Sequence, residues 1–157
     1  MDESGGALEG ARVSCYGAEG LLSVEAVSDG GGTAVLAGLP PGDYTLSGVL
    51  GGLITHEPVP TSLAAGQETG ARIVLRPGLR FEGRVESDKA PLPEACVSIN
   101  ASGKASRYAC VLSSADGAFS FEPLAPGKYI LTAARGGYRT EKLPWLVLDP
   151  GAPVAAV

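Results

Sequence analysis

The chain has 157 residues, among them 23 glycines and 12 prolines, and carries a net charge of −5 at pH 7. Nucleic-acid-binding surfaces need clustered lysine and arginine to neutralise phosphates, so this acidic balance argues against that class of partner. The chain has no apolar run of about 20 residues, so no membrane-inserted segment is expected. Glycine and proline recur at strand-length intervals, which predicts an all-β protein because no window is left for a long amphipathic helix.

A nine-residue phrase occurs twice. Gly38–Leu46 (GLPPGDYTL) returns as Pro123–Leu131 (PLAPGKYIL), an offset of 85 residues. Ala11–Cys15 likewise matches Ala95–Ile99, and Gly51–Leu53 matches Gly136–Tyr138. The period is too long for a solenoid repeat, whose units run to a few tens of residues. We therefore predict two small domains, residues 1–77 and residues 78–157.

The predicted elements are uneven between the copies. The first copy lacks an opening strand, since only residues 1–10 precede the stretch that matches Ala95–Ile99. The second copy shows alternating or apolar segments typical of short strands, and its last strand is expected to be truncated at residue 157. The segments are 79–86, 95–99, 107–113, 118–121, 129–133 and 145–148. Residues 76–78 (RPG) are predicted to be a stiff linker.

The order of motifs in the second copy resembles the carboxypeptidase regulatory-like domain. From Gly83 to Tyr138 the chain has Gly-x-Val, Pro-Leu-Pro-x-Ala-x-Val, Ala-Asp-Gly-x-Phe-x-Phe, Leu-x-Pro-Gly-x-Tyr-x-Leu and Gly-Gly-Tyr. The first copy resembles it less, because Asp29–Ala34 lacks the aromatic residues of the Asp-Gly-x-Phe segment. The resemblance implies two tandem Greek-key β-sandwiches of the transthyretin-like (prealbumin-like) type.

The Pro-Gly turn and the tyrosine that follows it are predicted to be structural. Proline presets one backbone angle of the turn and glycine accepts a positive φ, while a tyrosine ring can be buried with its hydroxyl bonded to the backbone. Greek-key sandwiches commonly use a tyrosine at such a corner. The residues concerned are Pro41, Gly42 and Tyr44 in the first copy and Pro126, Gly127 and Tyr129 in the second.

The three cysteines permit one cross-strand disulfide. Cys96 and Cys110 lie on the two arms of a predicted hairpin, where a bridge requires close, facing Cβ atoms, and free thiols are the alternative. Cys15 aligns with Ile99 and is expected to be a small buried residue. No metal site or cofactor is expected, because the chain has no Cys-x-x-Cys pair and one histidine.

Catalysis is not predicted. His56 stands in a proline-containing loop with no evident partner, and no nucleophile or phosphate-loop motif is present. The chain also lacks the C-terminal Tyr-Arg-Gly-Ser that hydrolases of the transthyretin-like fold carry. Pilin-like sandwiches with a similar Pro-Gly-x-Tyr phrase form an internal isopeptide bond, but the glutamate of that family is absent after Leu46 and Leu131, so none is expected.

A binding site for sugars is the alternative to a purely structural role. Trp145, Tyr138 and Tyr108 could stack on a sugar ring with Arg139 in support, whereas Trp145 could equally close the core. The prediction for the whole chain is a non-catalytic spacer, scaffold or protein-interaction module of a larger bacterial protein, with a carbohydrate-binding module as the second candidate. The resemblance implies an extracytoplasmic location in the periplasm, the outer membrane or the cell surface. The missing opening strand would expose a sheet edge of the first sandwich, where a protein partner is expected to pair.

Overall fold

A computed structural model describes residues 1–17, 23–88, 90–101, 109–138, 141–142 and 145–150. The chain divides into two compact units, of which the first is Met1–Gly78 and the second begins at Leu79. The described residues contain strands and turns but no helix, which confirms the all-β fold class. The described residues also contain no helix long and apolar enough to cross a bilayer.

The first unit is built on one antiparallel sheet. Its strands are β1 (Arg12–Gly17), β2 (Ser23–Val27), β3 (Gly42–Leu50), β4 (Leu53–Ile54), β5 (Val59–Leu63) and β6 (Arg76–Pro77). The order is β2-β1-β3-β4-β6, and β5 also pairs with β3. The inner face buries a cluster formed by Cys15, Tyr44 and Leu46, onto which further side chains from the loops pack.

The second unit has nine strands among its described residues. They are β7 (Leu79–Arg84), β8 (Glu86–Ser87), β9 (Ala90–Pro91), β10 (Cys96–Ala101), β11 (Ala109–Leu112), β12 (Ala118–Leu124), β13 (Gly127–Ala134), β14 (Glu141–Lys142) and β15 (Leu146–Leu148). The main sheet has the order β11-β10-β13-β14, with β15 also paired to β13, while β12 pairs with β7 in a separate sheet. The longer strands confirm the segments predicted from apolar alternation.

Side chains from both sheets of the second unit meet in one core. Phe81 of β7 and Phe121 of β12 pack with Val97, Tyr129 and Leu148 of the main sheet. The chain passes from β11 across to β12 and then returns to the main sheet as β13. Such a crossing between two packed antiparallel sheets is the Greek-key arrangement of a β-sandwich.

Apart from β6, the main sheets of the two units have the same connectivity among the described residues. In each, a central strand (β1 or β10) is flanked by its hairpin partner and by a long strand (β3 or β13), and the long strand accepts two further partners. Paired strands at equivalent places require equivalent alternation of inward and outward side chains. The match between Ala11–Cys15 and Ala95–Ile99 in the sequence therefore has a direct counterpart in the register.

A buried serine anchors the same loop in both units. The Ser28 hydroxyl donates to the Leu8 carbonyl and accepts from the Ala11 N–H. Ser113 makes the corresponding bonds, to the Leu92 carbonyl and from the Ala95 N–H, so the distances fall between 2.6 and 2.9 Å in both copies. Because each serine satisfies one buried donor and one acceptor of the backbone, it ties the end of the hairpin to the preceding loop.

The units differ in the layer that covers the main sheet. In the second unit this layer contains the paired strands β7 and β12. In the first unit the described residues opposite the sheet form no strand, and Leu36, Leu39 and Ile73 cover the core from irregular segments. The first unit has no counterpart of β7 among its described residues.

The segment predicted to be a linker belongs to the first unit instead. Arg76 and Pro77 form β6 and pair with Ile54 and Leu53, and the Gly78 N–H donates to the Gly52 carbonyl. Proline is tolerated there because an edge strand does not need every N–H. The linker prediction was wrong in this respect, since proline and glycine were taken to mark a break between elements.

Gly117→Ala is expected to lower the free energy of unfolding of the second unit by roughly 1–3 kcal/mol. Gly117 has φ of 76°, and a Cβ there would lie 2.5 Å from the Val85 carbonyl oxygen. Gly136→Ala is the matched control, because a Cβ at that turn meets nothing within 4 Å. Urea unfolding monitored by circular dichroism measures both variants, and equal midpoints for the two would contradict the prediction.

Candidate functional site

The repeated Pro-Gly-x-Tyr phrase forms the same corner in both units. Tyr44 and Tyr129 are each 7% exposed, and each hydroxyl donates to the carbonyl four residues upstream, Pro40 at 2.5 Å and Ala125 at 2.7 Å. Gly42 and Gly127 begin the long strands with φ of 159° and 154°, near the edge of the region that favours glycine. The corner thus fixes where each long strand starts relative to its turn.

Burial makes ionisation of the second corner costly. Desolvation raises the pKa of Tyr129 above its ordinary 10.0. The neutral phenol is therefore the form that the folded second unit favours. A buried phenol with its hydroxyl bonded to the backbone has the geometry expected of a structural tyrosine, and it offers no free group to a ligand.

The cysteines are arranged diagonally across a strand pair. Cys96 lies opposite Leu112 and Cys110 opposite Ser98, and the structure joins the two cysteines in a disulfide with Cα atoms 5.7 Å apart. This separation lies within the usual range for disulfides. Cys15 is buried as a free thiol in the first core, and desolvation raises its pKa. The two kinds of cysteine are thus expected to differ in reactivity.

Two of the four residues proposed to bind a sugar, Trp145 and Tyr138, lie among the described residues. Trp145 is 57% exposed and Tyr138 is 49% exposed, so the interpretation of Trp145 as a core residue was wrong. The Tyr138 ring has Arg135 over it at 5.8 Å from the centroid. Tyr108 and Arg139 lie outside the described residues. Trp145 is exposed because it lies just before β15, in which Leu148 is the residue that faces the core.

Polar groups that could suggest chemistry serve the backbone. His56 has its Nε2 atom 2.9 Å from the Pro77 carbonyl oxygen. Asp116 accepts a hydrogen bond from the Ser114 hydroxyl, which is the main reason that the pKa of its carboxyl group lies below the ordinary 3.8. Within the described parts of the chain, no group of three or more His, Cys, Asp or Glu side chains could hold a metal ion.

The second unit matches a known domain family. Residues 80–157 match the family model of the carboxypeptidase regulatory-like domain. The match contains the span Gly83–Tyr138 on which the resemblance was based, and so confirms it for the second copy. For the first copy the resemblance stays a prediction. No curated protein matches the chain.

Several solved structures are similar to the chain at low identity. A streptococcal ancillary pilin is 17% identical with a TM-score of 0.41, and the Bacillus anthracis TIE protein is 22% identical with a TM-score of 0.39. The chain is covered to 100% and 95% in these alignments, but it spans only 59% and 30% of those proteins. The minor pilin GBS52 of Streptococcus agalactiae is 15% identical with a TM-score of 0.33, with 94% of this chain and 87% of that one covered.

Tyr129→Phe is expected to lower the free energy of unfolding of the second unit by about 1 kcal/mol at neutral pH. The tyrosine contribution is complete below pH 10, the ordinary pKa, and is lost as the pH rises through the raised pKa of the folded state. The phenylalanine variant should therefore lose less stability than the wild type between pH 9 and 11. Tyr129→Ala, which also removes the ring, should cost about 3–5 kcal/mol.

Calorimetric unfolding across this pH range measures the effect. Tyr138→Phe is the control, because the Tyr138 side chain is half exposed and the described structure gives its hydroxyl no hydrogen bond. An alkaline loss equally steep in the wild type and in Tyr129→Phe would contradict the assignment of the effect to the buried corner.

Oxidised protein denatured without reductant should show one reactive thiol, that of Cys15, against three after reduction. The folded protein should react at none of them, because Cys15 is buried and its thiolate is disfavoured. Cys110→Ser should lower the stability of the second unit by about 2–4 kcal/mol, since the bridge restrains the unfolded chain. Thiol titration and intact mass are the measurements, and three thiols without reductant would exclude the bridge.

Proposed function

We propose that this chain is a non-catalytic structural and protein-interaction module, a spacer or scaffold, of a larger extracytoplasmic bacterial protein. The observation that carries the proposal is that three of the four buried polar residues in the described structure, Ser28, Thr55 and Ser113, bond the backbone. Ser28 and Ser113 hold the same loop in each unit, and Thr55 bonds both backbone groups of Gly48. Buried polar groups at a catalytic centre would instead point at a space for substrate.

The internal repetition supports the same function. The two units share the pairing of their central strands, a buried serine anchor and a tyrosine corner. Repeating one stable unit in this way builds a longer scaffold. The family match of the second unit and the low-identity likeness to pilins are in keeping with this class but assign no partner. Trp145 is exposed and Tyr138 contacts Arg135, and neither observation assigns a sugar to this chain.

Single-molecule stretching of the chain between terminal handles tests the spacer role. We expect two separate unfolding events, one for each unit, because each has its own core. Reduction should lengthen the step of the second unit by about 40 Å, since the 14 residues that the bridge withholds extend to about 3.5 Å each and the bridge itself already spans 5.7 Å.

Cys110→Ser under oxidising conditions is the matched control and should show the longer step without reductant. The step of the first unit should remain unchanged in every case, because its cysteine is free. Extension of both units with no resolvable resistance would contradict a role in bearing or transmitting load.

A further inference from the structure

We propose that the Cys96–Cys110 bridge of the second unit is a thiol–disulfide exchange site. A low-molecular-weight thiol attaches there to Cys110, covalently and reversibly, while the unit stays folded. This activity goes beyond the proposed function, because a spacer needs the bridge neither to open nor to carry a second molecule.

The bridge lies on the face of the main sheet that points away from the core. Side chains alternate along β10, so Val97 and Ile99 are buried in the core while Cys96 lies on the opposite face. Cys96 is half-buried and Cys110 is exposed. Neither cysteine belongs to the core cluster of the second unit, so opening the bridge leaves the contacts of that cluster in place.

The first unit shows that the equivalent hairpin forms without a bridge. The repeat aligns Ser14 with Ser98, and the strand opposite then aligns Glu25 with Cys110. In the first unit the Ser14 hydroxyl donates to the Glu25 carboxylate at 2.9 Å, and β1 and β2 keep their register with this hydrogen bond in the place of the bridge. The bridge therefore adds stability to the pair β10–β11 but does not define its register, so it can open in the folded unit.

The two sulfur atoms of the bridge differ in access and in their surroundings. Cys110 lies on β11, the edge strand of the described main sheet, whereas Cys96 lies on β10 between β11 and β13. The Ser98 hydroxyl is 3.8 Å from the Cys96 Sγ and is placed to donate a hydrogen bond to it. Attack at the exposed Cys110 sulfur therefore expels the sulfur that has a donor beside it. This direction is favoured, because a stabilised thiolate leaves faster.

The exchange conserves atoms and electrons. The thiolate of the small thiol attacks the Cys110 Sγ and forms a new S–S bond, while the bond to the Cys96 Sγ breaks and its electron pair leaves on that atom, which then takes up a proton from water. Attack by Cys96 on the mixed disulfide closes the bridge again and releases the small thiol. Because the sheet holds Cys96 beside Cys110, the closed form is favoured when the small thiol is dilute.

The test incubates the whole oxidised chain with reduced glutathione as the probe and traps free thiols with iodoacetamide. Trypsin cleaves after Lys104 and Arg107, which separates the two cysteines for mass spectrometry. We expect glutathione on the Cys110 peptide and the alkyl group on the Cys96 peptide, in excess of the reverse arrangement by about tenfold or more. The reverse arrangement, equal amounts of the two, or no mixed disulfide at all would overturn the proposal.

Urea below the unfolding transition shows whether the exchange takes place in the folded unit. A bridge that opens on the folded surface should exchange at a rate that urea changes by less than about twofold, since the reaction needs no loss of structure. A rate that rises in proportion to the unfolded fraction would overturn the proposal, because the bridge would then open only on unfolding. A product that has lost the strand spectrum of the oxidised chain in circular dichroism would overturn it as well.

Ser98→Ala tests the direction of attack, and Ser14→Ala is the matched control in the first unit. Removal of the Ser98 hydroxyl should slow the opening of the bridge by about threefold or more, whereas Ser14→Ala should leave the rate unchanged. In a Cys110→Ser background, Ser98→Ala should also raise the pKa of the Cys96 thiol, which a loss of stability alone would not do. An unchanged opening rate in Ser98→Ala would overturn the assignment of Cys96 as the leaving group.

Discussion

The start of each long strand is the constraint on which the rest of the fold depends. β3 pairs with β1, β4 and β5, and β13 pairs with β10, β14 and β15, so a single strand sets the register of every neighbour in its sheet. A slip of one residue would move Tyr44 and Leu46 from the core face to the solvent face. The corner prevents that slip, because the tyrosine hydroxyl binds a carbonyl of the turn that precedes the strand.

The corner works together with the buried serine at the other end of the sheet. Ser28 and Ser113 hold the loop before the central strand, while the tyrosines hold the turn before the long strand. Both strands of the central pair are thus fixed by side chains that bond backbone groups. The first unit can therefore keep its main sheet although its covering layer has no paired strands, because the register is not set by that layer.

The sequence predicted those features that are signalled by local pattern. The Pro-Gly-x-Tyr phrase predicted the turn and the strand after it, since both depend on backbone preferences of a few neighbouring residues. Ser28 and Ser113 were missed, although they stand 85 residues apart like the phrase itself, because a single serine carries no composition signal.

The errors arose where long-range pairing decides the structure. Pro77 joins the sheet because Leu53 lies beside it, and nothing within the segment at 76–78 reveals that partner. Trp145 is exposed because the register of β15 turns Leu148 inward, and an aromatic residue near a strand is otherwise expected to be buried. The diagonal position of Cys96 and Cys110 likewise depends on hairpin register, which the sequence left open between a bridge and free thiols.

The difference between side chains that are bonded within a unit and backbone groups that are not determines where specificity can arise in this protein. Side chains that are buried and bonded within each unit are committed to register, so changing them alters stability before it alters recognition. The segment at residues 34–37 is different, because its N–H groups make no hydrogen bond within the described structure while Leu36 packs on the core. Substitution of Ala34 for the aromatic residue of the second copy removes a ring from the inner layer at one point. Divergence between two copies of one scaffold has thus changed a ring of the covering layer while the corner, the serine anchor and the pairing of the central strands stayed the same.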